Sequence, residues 1–188
     1  MTILCVVAHP DDETIGCGGT LAAFAKMGHA VYVGALADGE TSRDDATFRD
    51  VLDRWRRWEL ALRRLGARPL YPHEAWPDQR LETIPRLRVT KQIARWLAQV
   101  DPHIVLTHSP HDPNLDHRMV WEAAEPALLR CPTKVYRFGV RRMRSTFRPV
   151  PVPLPMPDMV TRHLALSEYG AECEGDLNSL EQFEKVKT

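Results

Sequence analysis

The chain lacks the features that mark secreted, membrane or nucleic-acid-binding proteins. Its 188 residues include four cysteines with no C-x-x-C pair, too scattered for a disulfide framework. No apolar run approaches the roughly 20 residues that a membrane-spanning helix requires. Lysine and arginine (25) balance aspartate and glutamate (25), so a net charge of zero gives no global attraction to nucleic acid or anionic membrane. We therefore expect a small-molecule partner, no nucleic-acid partner and no membrane span.

The first residues also lack a targeting signal. Residues 1–8 run into an apolar stretch with neither a basic region nor a small-residue cleavage site. Together with thiols that we expect to be reduced, this predicts a cytoplasmic protein. The length fits one domain over 1–188, with a core over about 1–140 and a proline-rich strap and C-terminal helix over 141–188. Whether the chain forms a homo-oligomer stays open.

Short apolar runs alternate with amphipathic stretches over the first 140 residues. The runs predict strands at 3–8, 30–37, 69–71, 104–107 and 134–140. The amphipathic stretches predict helices at 20–27, 48–65, 84–100 and 116–129. Strands that alternate with helices form parallel βαβ units. The sequence therefore predicts an α/β fold, a Rossmann-like three-layer αβα sandwich with a mostly parallel central sheet.

The character of the sequence changes near its C-terminal end. Seven basic residues lie within 130–148 with no acid among them, and five prolines lie within 149–157. A last helix is predicted over 158–173. Six acidic residues lie within 168–184 with no basic residue among them. We expect this acidic tail to be solvated, and pairing with the basic stretch is the alternative.

A polar cluster follows the first predicted strand. Its sequence is A-H-P-D-D-E, which places His9, Asp11 and Asp12 in one tight turn. In open parallel sheets, ligands bind beyond the carboxyl ends of the strands, where the strand order reverses. Two of these three groups could bind a metal ion while the third acts on a water molecule. The ordinary alternative is a helix N-cap with acidic residues in the first turn.

A second cluster follows the predicted strand at 104–107. It contains His108, His111, Asp116 and His117. If this strand lies beside the first one, His117 faces the same crevice. Three nitrogen and oxygen ligands with one open position are typical of a catalytic zinc. Asp116 is equally suited to cap its own helix.

The glycine-rich segment at 16–19 does not match a dinucleotide-binding turn. The G-x-G-x-x-G fingerprint needs its third glycine where Leu21 stands. We expect these glycines to let the first helix approach the loop that carries His9 and Asp12. The sequence also has no P-loop lysine, no G-x-S-x-G elbow and no H-E-x-x-H. Serine hydrolase and zincin chemistry are therefore unsupported.

Four segments resemble the PIG-L/LmbE family of zinc-dependent N-deacetylases, which act mostly on N-acetylated amino sugars. They are AHPDDETIGCGGTLA from Ala8, ADGE with Arg43 after it, WPDQRLET from Trp76 and THSPHDPNLDHRMV from Thr107. The resemblance implies a Zn²⁺ site formed by His9, Asp12 and His117. It also implies that Asp11 is the general base, which activates the water that attacks the acetamide carbonyl.

The resemblance departs at one catalytic position. Many members have H-x-D-H where this chain has N-L-D-H, so Asn114 replaces a histidine. Asparagine can donate a hydrogen bond but cannot supply a proton. We therefore expect Asp11 to return the proton to the leaving amine, with His108 and His111 as alternatives. Asp116 would orient a neighbouring donor or the histidine beside it, which makes Asp11, Asp116 and Asn114 the candidate catalytic residues.

Substrate contacts and competing functions complete the prediction. The candidate substrate-binding residues are Arg43, Arg80, His108 and His111, in loops expected at the same crevice. A phosphate- or nucleic-acid-binding module using the arginines of 137–148 is an alternative, but the chain lacks the net basic footprint. A metal-dependent phosphoesterase is another alternative, but its two ions need more carboxylates than this one His-Asp-His set offers. The sequence favours an N-deacetylase, and its donor set leaves zinc or iron open.

Overall fold

A central β-sheet organises the part of the chain that the computed structural model describes, namely residues 1–140, 155, 157–169 and 181–186. Its strands are β1 (Thr2–Val7), β2 (Ala30–Ala35), β3 (Arg68–Leu70), β4 (Ile104–His108), β5 (Lys134–Phe138) and β6 (Phe183–Lys185). They lie in the order β3-β2-β1-β4-β5-β6, with β1 to β5 parallel and β6 antiparallel to β5. The predicted mostly parallel sheet is confirmed.

Helices cover both faces of this sheet. They are α1 (Asp12–Lys26), α2 (Phe48–Leu65), α3 (Arg86–Val100), α4 (Leu115–Leu128) and α5 (Met159–Leu166), with a short 3-10 helix at Leu81–Thr83. Helices α1, α2 and α5 contact one another, and α3 contacts α4. Alternate residues of β1 belong to separate cores: Cys5 packs with Trp58 of α2, and Leu4 packs with Trp96 of α3. The αβα sandwich is thus confirmed. No helix in the described residues is long and apolar enough to cross a membrane.

The strand order places the two predicted clusters side by side. Strand β1 pairs with β4 in parallel, with Val6 opposite Thr107. The chain crosses to β2 on one side of β1 and reaches β4 on the other, so the order reverses between β1 and β4. A crevice at the carboxyl ends of strands at such a reversal is the usual ligand site of this architecture.

The first helix differs from the prediction. Helix α1 begins at Asp12, eight residues before the predicted start, and has non-helical dihedral angles at Cys17. The predicted approach of the glycines to the His9 loop is not what the structure shows at Gly16. A Cβ at Gly16 would lie 2.4 Å from the ring of Phe138 in β5, so this glycine lets α1 approach the sheet.

The C-terminal predictions are only partly covered by the described residues. Helix α5 ends at Leu166, inside the helix predicted over 158–173. The predicted residues beyond 169 lie outside the described residues. The basic residues of 141–148 and most of the strap at 149–157 also lie outside them. Strand β6 was not predicted. The expectation of a solvated acidic tail is wrong for Glu181, because its side chain has no exposed surface.

Candidate metal centre and active site

A pocket of about 460 Å³ opens beyond the carboxyl ends of β1 and β4. Both predicted clusters contribute to it, as does the loop after β2. Its lining residues are His9, Asp11, Asp12, Ile15, Gly39, Arg43, Arg54, Asp78, Gln79, Asp112, Pro113, Asn114, His117 and Val140. The pocket therefore brings together the three predicted metal ligands, the predicted base and two other predicted site residues.

Three donor groups converge in this pocket. The Nδ1 atom of His9 lies 3.2 Å from a carboxylate oxygen of Asp12 and 3.3 Å from the Nε2 atom of His117. That Nε2 atom lies 3.2 Å from the other Asp12 oxygen. Ligands about 2.0–2.1 Å from a tetrahedral zinc are separated from one another by roughly 3.3–3.4 Å. The spacing of these donors therefore fits a zinc-sized ion.

Carboxylates orient both histidines from behind. The Nε2 atom of His9 lies 3.0 Å from Asp116 and 3.0 Å from Asp78. The Nδ1 atom of His117 lies 3.1 Å from Asp112. A proton on each of these nitrogens leaves the opposite ring nitrogen, which faces the pocket, with its lone pair available. Such carboxylate partners are the usual companions of metal-binding histidines.

Two other groups of histidine and aspartate overlap with this donor set. They are His108 with Asp112 and His117, and His9 with Asp78 and Asp116. Each uses the ring nitrogen that faces away from the converging donors. Each also contains a residue that does not line the pocket, His108 in one and Asp116 in the other. We therefore assign these groups to the support of the site.

His108 supports the site from beneath. Its side chain is completely buried, and its ring stacks on His117 with 4.0 Å between centroids. Its Nε2 atom accepts a hydrogen bond from the Ala8 backbone N–H at 3.0 Å, which requires the neutral ring. Burial, with the nearby charge of His117, lowers the pKa of His108 to about 4. The expectation of a substrate contact is therefore corrected, because His108 has no surface that a substrate could reach.

Burial and mutual charge shift the pKa values of the site in opposite directions. Burial raises the pKa of Asp11 to about 6, and the adjacent Asp12 adds to this shift. Burial would also raise the pKa of Asp12, but His117 and His9 hold it well below its usual range. For His117, burial would lower the pKa, but Asp12 raises it to about 9. In the metal-free chain, the Asp12 carboxylate is thus the negative partner of the cationic His9 and His117 imidazoles.

Asp11 faces the pocket beside a buried arginine. Its side chain is 22% exposed, and an oxygen lies 3.5 Å from an Nη atom of Arg54. Arg54 also donates from Nε to Glu40 at 2.6 Å, and Arg43 pairs with the same Glu40. Sequence reasoning missed Arg54 and Glu40. An available signal was that Arg54 falls on the buried stripe of α2, four residues before Trp58.

Asn114 and Asp116 make different contacts at the start of α4. Asn114 is the N-cap of α4, and its side-chain oxygen accepts a hydrogen bond from the Asp116 backbone N–H at 2.8 Å. Asn114, and not Asp116, is therefore the cap, which removes the alternative interpretation of Asp116 as the N-cap of its helix. Asp116 is fully buried, contacts His9 and accepts from the Leu81 backbone N–H at 3.0 Å. It lies behind His9, whereas Asp112 lies behind His117.

The predicted substrate contacts lie at different distances from the pocket. Arg43 lines it, whereas the exposed Arg80 and the partly exposed His111 do not. Gln79, which was not predicted, does line it and has a left-handed backbone with φ of 55°. Such a conformation is uncommon for a residue other than glycine, asparagine or aspartate. Its neighbour Asp78, also missed, accepts a hydrogen bond from Ser42 at 2.5 Å.

Comparison with known proteins identifies the family of the chain and the solved structures that share its fold. A family model described as "PIG-L: GlcNAc-PI de-N-acetylase" matches residues 4–128. A protein of Mycolicibacterium gilvum (strain PYR-GCK) named 1D-myo-inositol 2-acetamido-2-deoxy-alpha-D-glucopyranoside deacetylase is 33% identical over 163 residues, covering 69% of this chain and 56% of the relative. A protein of the same name from Segniliparus rotundus is 34% identical over 140 residues, covering 57% and 43%. The chain thus spans about half the length of these curated relatives.

Solved structures share the fold at low identity. N,N'-diacetylchitobiose deacetylase from Pyrococcus horikoshii has a TM-score of 0.75 at 19% identity, covering 98% of this chain and 83% of that one. The zinc-inhibited form of teicoplanin deacetylase Orf2 has a TM-score of 0.71 at 17% identity, with 90% and 84% covered. GalB, a 4-carboxy-2-hydroxymuconate hydratase from Pseudomonas putida KT2440, has a TM-score of 0.69 at 22% identity, with 94% and 80% covered. Because a hydratase shares the fold, the reaction has to be argued from the site.

Proposed function

Because the chain belongs to the PIG-L family, we propose that it is a metal-dependent hydrolase that removes the N-acetyl group from an acetylated amino sugar or its conjugate. The observation that carries the proposal is the convergence of His9, Asp12 and His117 beside the Asp11 carboxylate in an open pocket. The names of the curated relatives, deacetylases of a 2-acetamido-2-deoxy-glucopyranoside, support this substrate class. They also favour a small-molecule substrate over a macromolecule.

His9, Asp12 and His117 would hold the ion. Two imidazoles and one carboxylate suit zinc, and they also accept other divalent ions such as iron. When bound there, zinc would lower the pKa of a water molecule and polarise the acetamide carbonyl. Asp116 and Asp78 would keep His9 in the required orientation, while Asp112 would do the same for His117.

Asp11 is the proposed general base. Its carboxylate reaches the pocket next to the donor set but is not one of the three converging groups. In the metal-free chain, burial and the adjacent Asp12 raise the pKa of Asp11 to about 6, toward the pH at which a carboxylate exchanges protons efficiently. Asp11 would take a proton from the attacking water and return it to the amide nitrogen as the C–N bond breaks. The products are acetate and the free amine.

Asn114 is the proposed oxyanion donor. Its side-chain oxygen is held by the helix cap, which leaves the Nδ2 amino group to donate a hydrogen bond in the pocket. Such a donor can stabilise negative charge on the acetamide oxygen but cannot protonate the amine. This division agrees with the assignment of both proton transfers to Asp11.

Arg43 is the proposed contact to substrate hydroxyls. It lies in the pocket lining, about half exposed, and its pairing with Glu40 holds the guanidinium near the rim. Arg80 and His111 do not line the pocket, so we expect them to matter only for a conjugate larger than one sugar. The free thiols of Cys5 and Cys17 fit the proposed cytoplasmic location.

The alternative functions have no comparable support. A two-metal phosphoesterase needs two ion sites about 3.5–4 Å apart. Of the donor groups in the described residues, only that of His9, Asp12 and His117 consists entirely of pocket-lining side chains. The basic residues invoked for a phosphate- or nucleic-acid-binding module lie mostly outside the described residues.

The test is metal-dependent release of amine from an N-acetylglucosamine conjugate. Chain stripped of metal with a chelator should be inactive, and one equivalent of zinc should restore turnover. Asp11→Asn should keep one zinc per chain and lose about 10²–10⁴-fold in kcat. His117→Ala should lose zinc, whereas the exposed control His163→Ala should change neither. Full turnover in Asp11→Asn would contradict the assignment of Asp11 as the general base. Wild-type chain that neither binds zinc nor releases amine would refute the proposed function.

A further inference from the structure

The break in helix α1 lies next to the proposed metal centre. At Cys17 the backbone has φ of −149° and ψ of 17°, which interrupts the helix. The part before the break carries Asp12, a proposed ligand, and Ile15, which lines the pocket. In an uninterrupted helix each backbone N–H donates to the carbonyl four residues earlier. Buried backbone groups released by a break need other partners.

A buried arginine donates hydrogen bonds to the backbone carbonyls on the N-terminal side of the break. Arg162 of α5 donates from Nε to the carbonyl of Thr14 at 3.1 Å and from an Nη atom to that of Ile15 at 2.7 Å. In an uninterrupted helix these two carbonyls would accept from residues 18 and 19. The Arg162 side chain is 1% exposed, so both bonds are shielded from water.

A buried glutamate accepts hydrogen bonds from the backbone N–H groups on the C-terminal side of the break. Glu181 accepts from the backbone of Gly19 at 2.6 Å and of Thr20 at 3.0 Å, and from the Thr20 hydroxyl at 2.6 Å. Its carboxylate lies 3.7 Å from Nε of Arg162. The two charges thus compensate each other while each satisfies one side of the break.

Gly19 makes room for the glutamate of the pair. A Cβ at Gly19 would lie 2.9 Å from the Glu181 carboxylate and 3.0 Å from Pro157, which is closer than a side chain can pack. A Cβ at Gly18 would lie 3.4 Å from the Arg162 side chain, an ordinary van der Waals distance. The glycine-rich motif, which does not match a nucleotide-binding turn, therefore has a physical purpose at Gly19.

We propose that Arg162 and Glu181 are positioning residues that hold the first turn of α1, and with it Asp12, in the geometry that the metal site needs. We call this pair the clasp. It extends the proposed function, since the role of Asp12 as a ligand belongs to that proposal. Both members lie outside the residues 4–128 that the family model matches, so the clasp couples the C-terminal part of this chain to its metal centre.

The test compares two glutamate-to-glutamine variants. Glu181→Gln keeps the size of the side chain, removes one acceptor and removes the negative charge that lies 3.7 Å from Nε of Arg162. Glu168→Gln is the matched control, because Glu168 also ties the C-terminal part to a helix, through Arg64 of α2, without touching the break. We expect Glu181→Gln to weaken zinc binding about tenfold or more in a chelator competition, and Glu168→Gln to leave it unchanged.

A second readout does not depend on metal. In the metal-free chain, the backbone amides of residues 12–20 should exchange with solvent at least tenfold faster in Glu181→Gln than in wild type or Glu168→Gln. Arg162→Lys should behave like Glu181→Gln, because one ammonium cannot reproduce the guanidinium fork that bonds two carbonyls.

The outcomes separate the clasp from the proposed function. Wild-type affinity for zinc in Glu181→Gln, with or without a lower Tm, would overturn the positioning role. Unchanged exchange of residues 12–20 would overturn the clasp itself. If wild-type chain bound no zinc, the proposed metal site would fall, and the exchange measurement would still decide whether the clasp holds the first turn.

Discussion

At the residue scale, each carboxylate of the site is defined by what its oxygens face. Asp12 faces two histidines and is held strongly acidic, so it suits a metal ion. Asp116 and Asp112 lie behind those histidines and orient them. Asp11 faces the pocket with a raised pKa and suits proton transfer. In the proposed function these four aspartates divide into a ligand, two orienting groups and a base, and Asp78 shares the orienting role of Asp116 at His9.

The orienting role of Asp112 can be tested directly. Its Oδ2 atom and the Nδ1 atom of His117 are both buried and 3.1 Å apart. Asp112→Asn keeps the shape but removes the charge that fixes the imidazole tautomer, so we expect zinc affinity to fall about 10–100-fold. Chelator competition measures the change. Asp53→Asn on the exposed surface of α2 is the control, and equal affinities in the two variants would contradict the role.

At the element scale, α2 brings an arginine under the active site. One face of this helix is apolar and packs against the sheet, with Trp58 and Leu62 completely buried. Arg54 lies on the same face, one turn earlier, and contacts both Glu40 and Asp11. The position of α2 therefore sets the charge that faces the proposed base.

The start of α2 is held by a capping box that can be removed. Thr47 accepts from the Asp50 backbone N–H, and the Asp50 carboxylate accepts from the Thr47 backbone. Thr47→Ala should lower the free energy of unfolding by about 1 kcal/mol, measured by urea denaturation. Thr47→Ser keeps the hydroxyl and should stay within a few tenths of wild type. Equal losses in both variants would show that the methyl group, and not the cap, matters.

At the scale of the whole molecule, protons compete with metal for the site. The pKa of His117 is raised from 6.5 to about 9 in the metal-free chain, although its burial acts in the opposite direction. Its charge therefore stabilises the metal-free fold fully below pH 6.5, and this contribution is lost as pH rises through 9. A bound metal needs the neutral ring, so zinc should reverse the trend.

Two measurements follow from this competition. At pH 7, calorimetric titration with zinc in buffers of different ionisation enthalpy should detect at least one proton released per ion, and affinity should rise between pH 6.5 and 9. Over the same range the Tm of the metal-free chain should fall. The control His163→Ala should keep both trends. Zinc affinity that does not vary with pH would contradict a site containing His117.

The sequence by itself determined the sheet, the position of the site and the candidate ligands. Apolar period and strand length identify β1, β4 and their helices because these signals are local along the chain. The two polar clusters directly after β1 and β4 then meet because carboxyl ends of parallel strands share one edge. Even so, the first turn of α1 was missed, since its glycines and acids resemble a loop.

Only the tertiary structure decided which polar groups face one another. Asp112 and not Asp116 lies behind His117, and Arg54 reaches Asp11 across 43 positions. Glu181 accepts from the backbone N–H groups of residues 19 and 20, beyond the break at Cys17. Local pattern cannot find such pairs, because partners far apart in the chain are chosen by the packing of helices on the sheet. Burial then strengthens each contact, since a charge removed from water needs a partner.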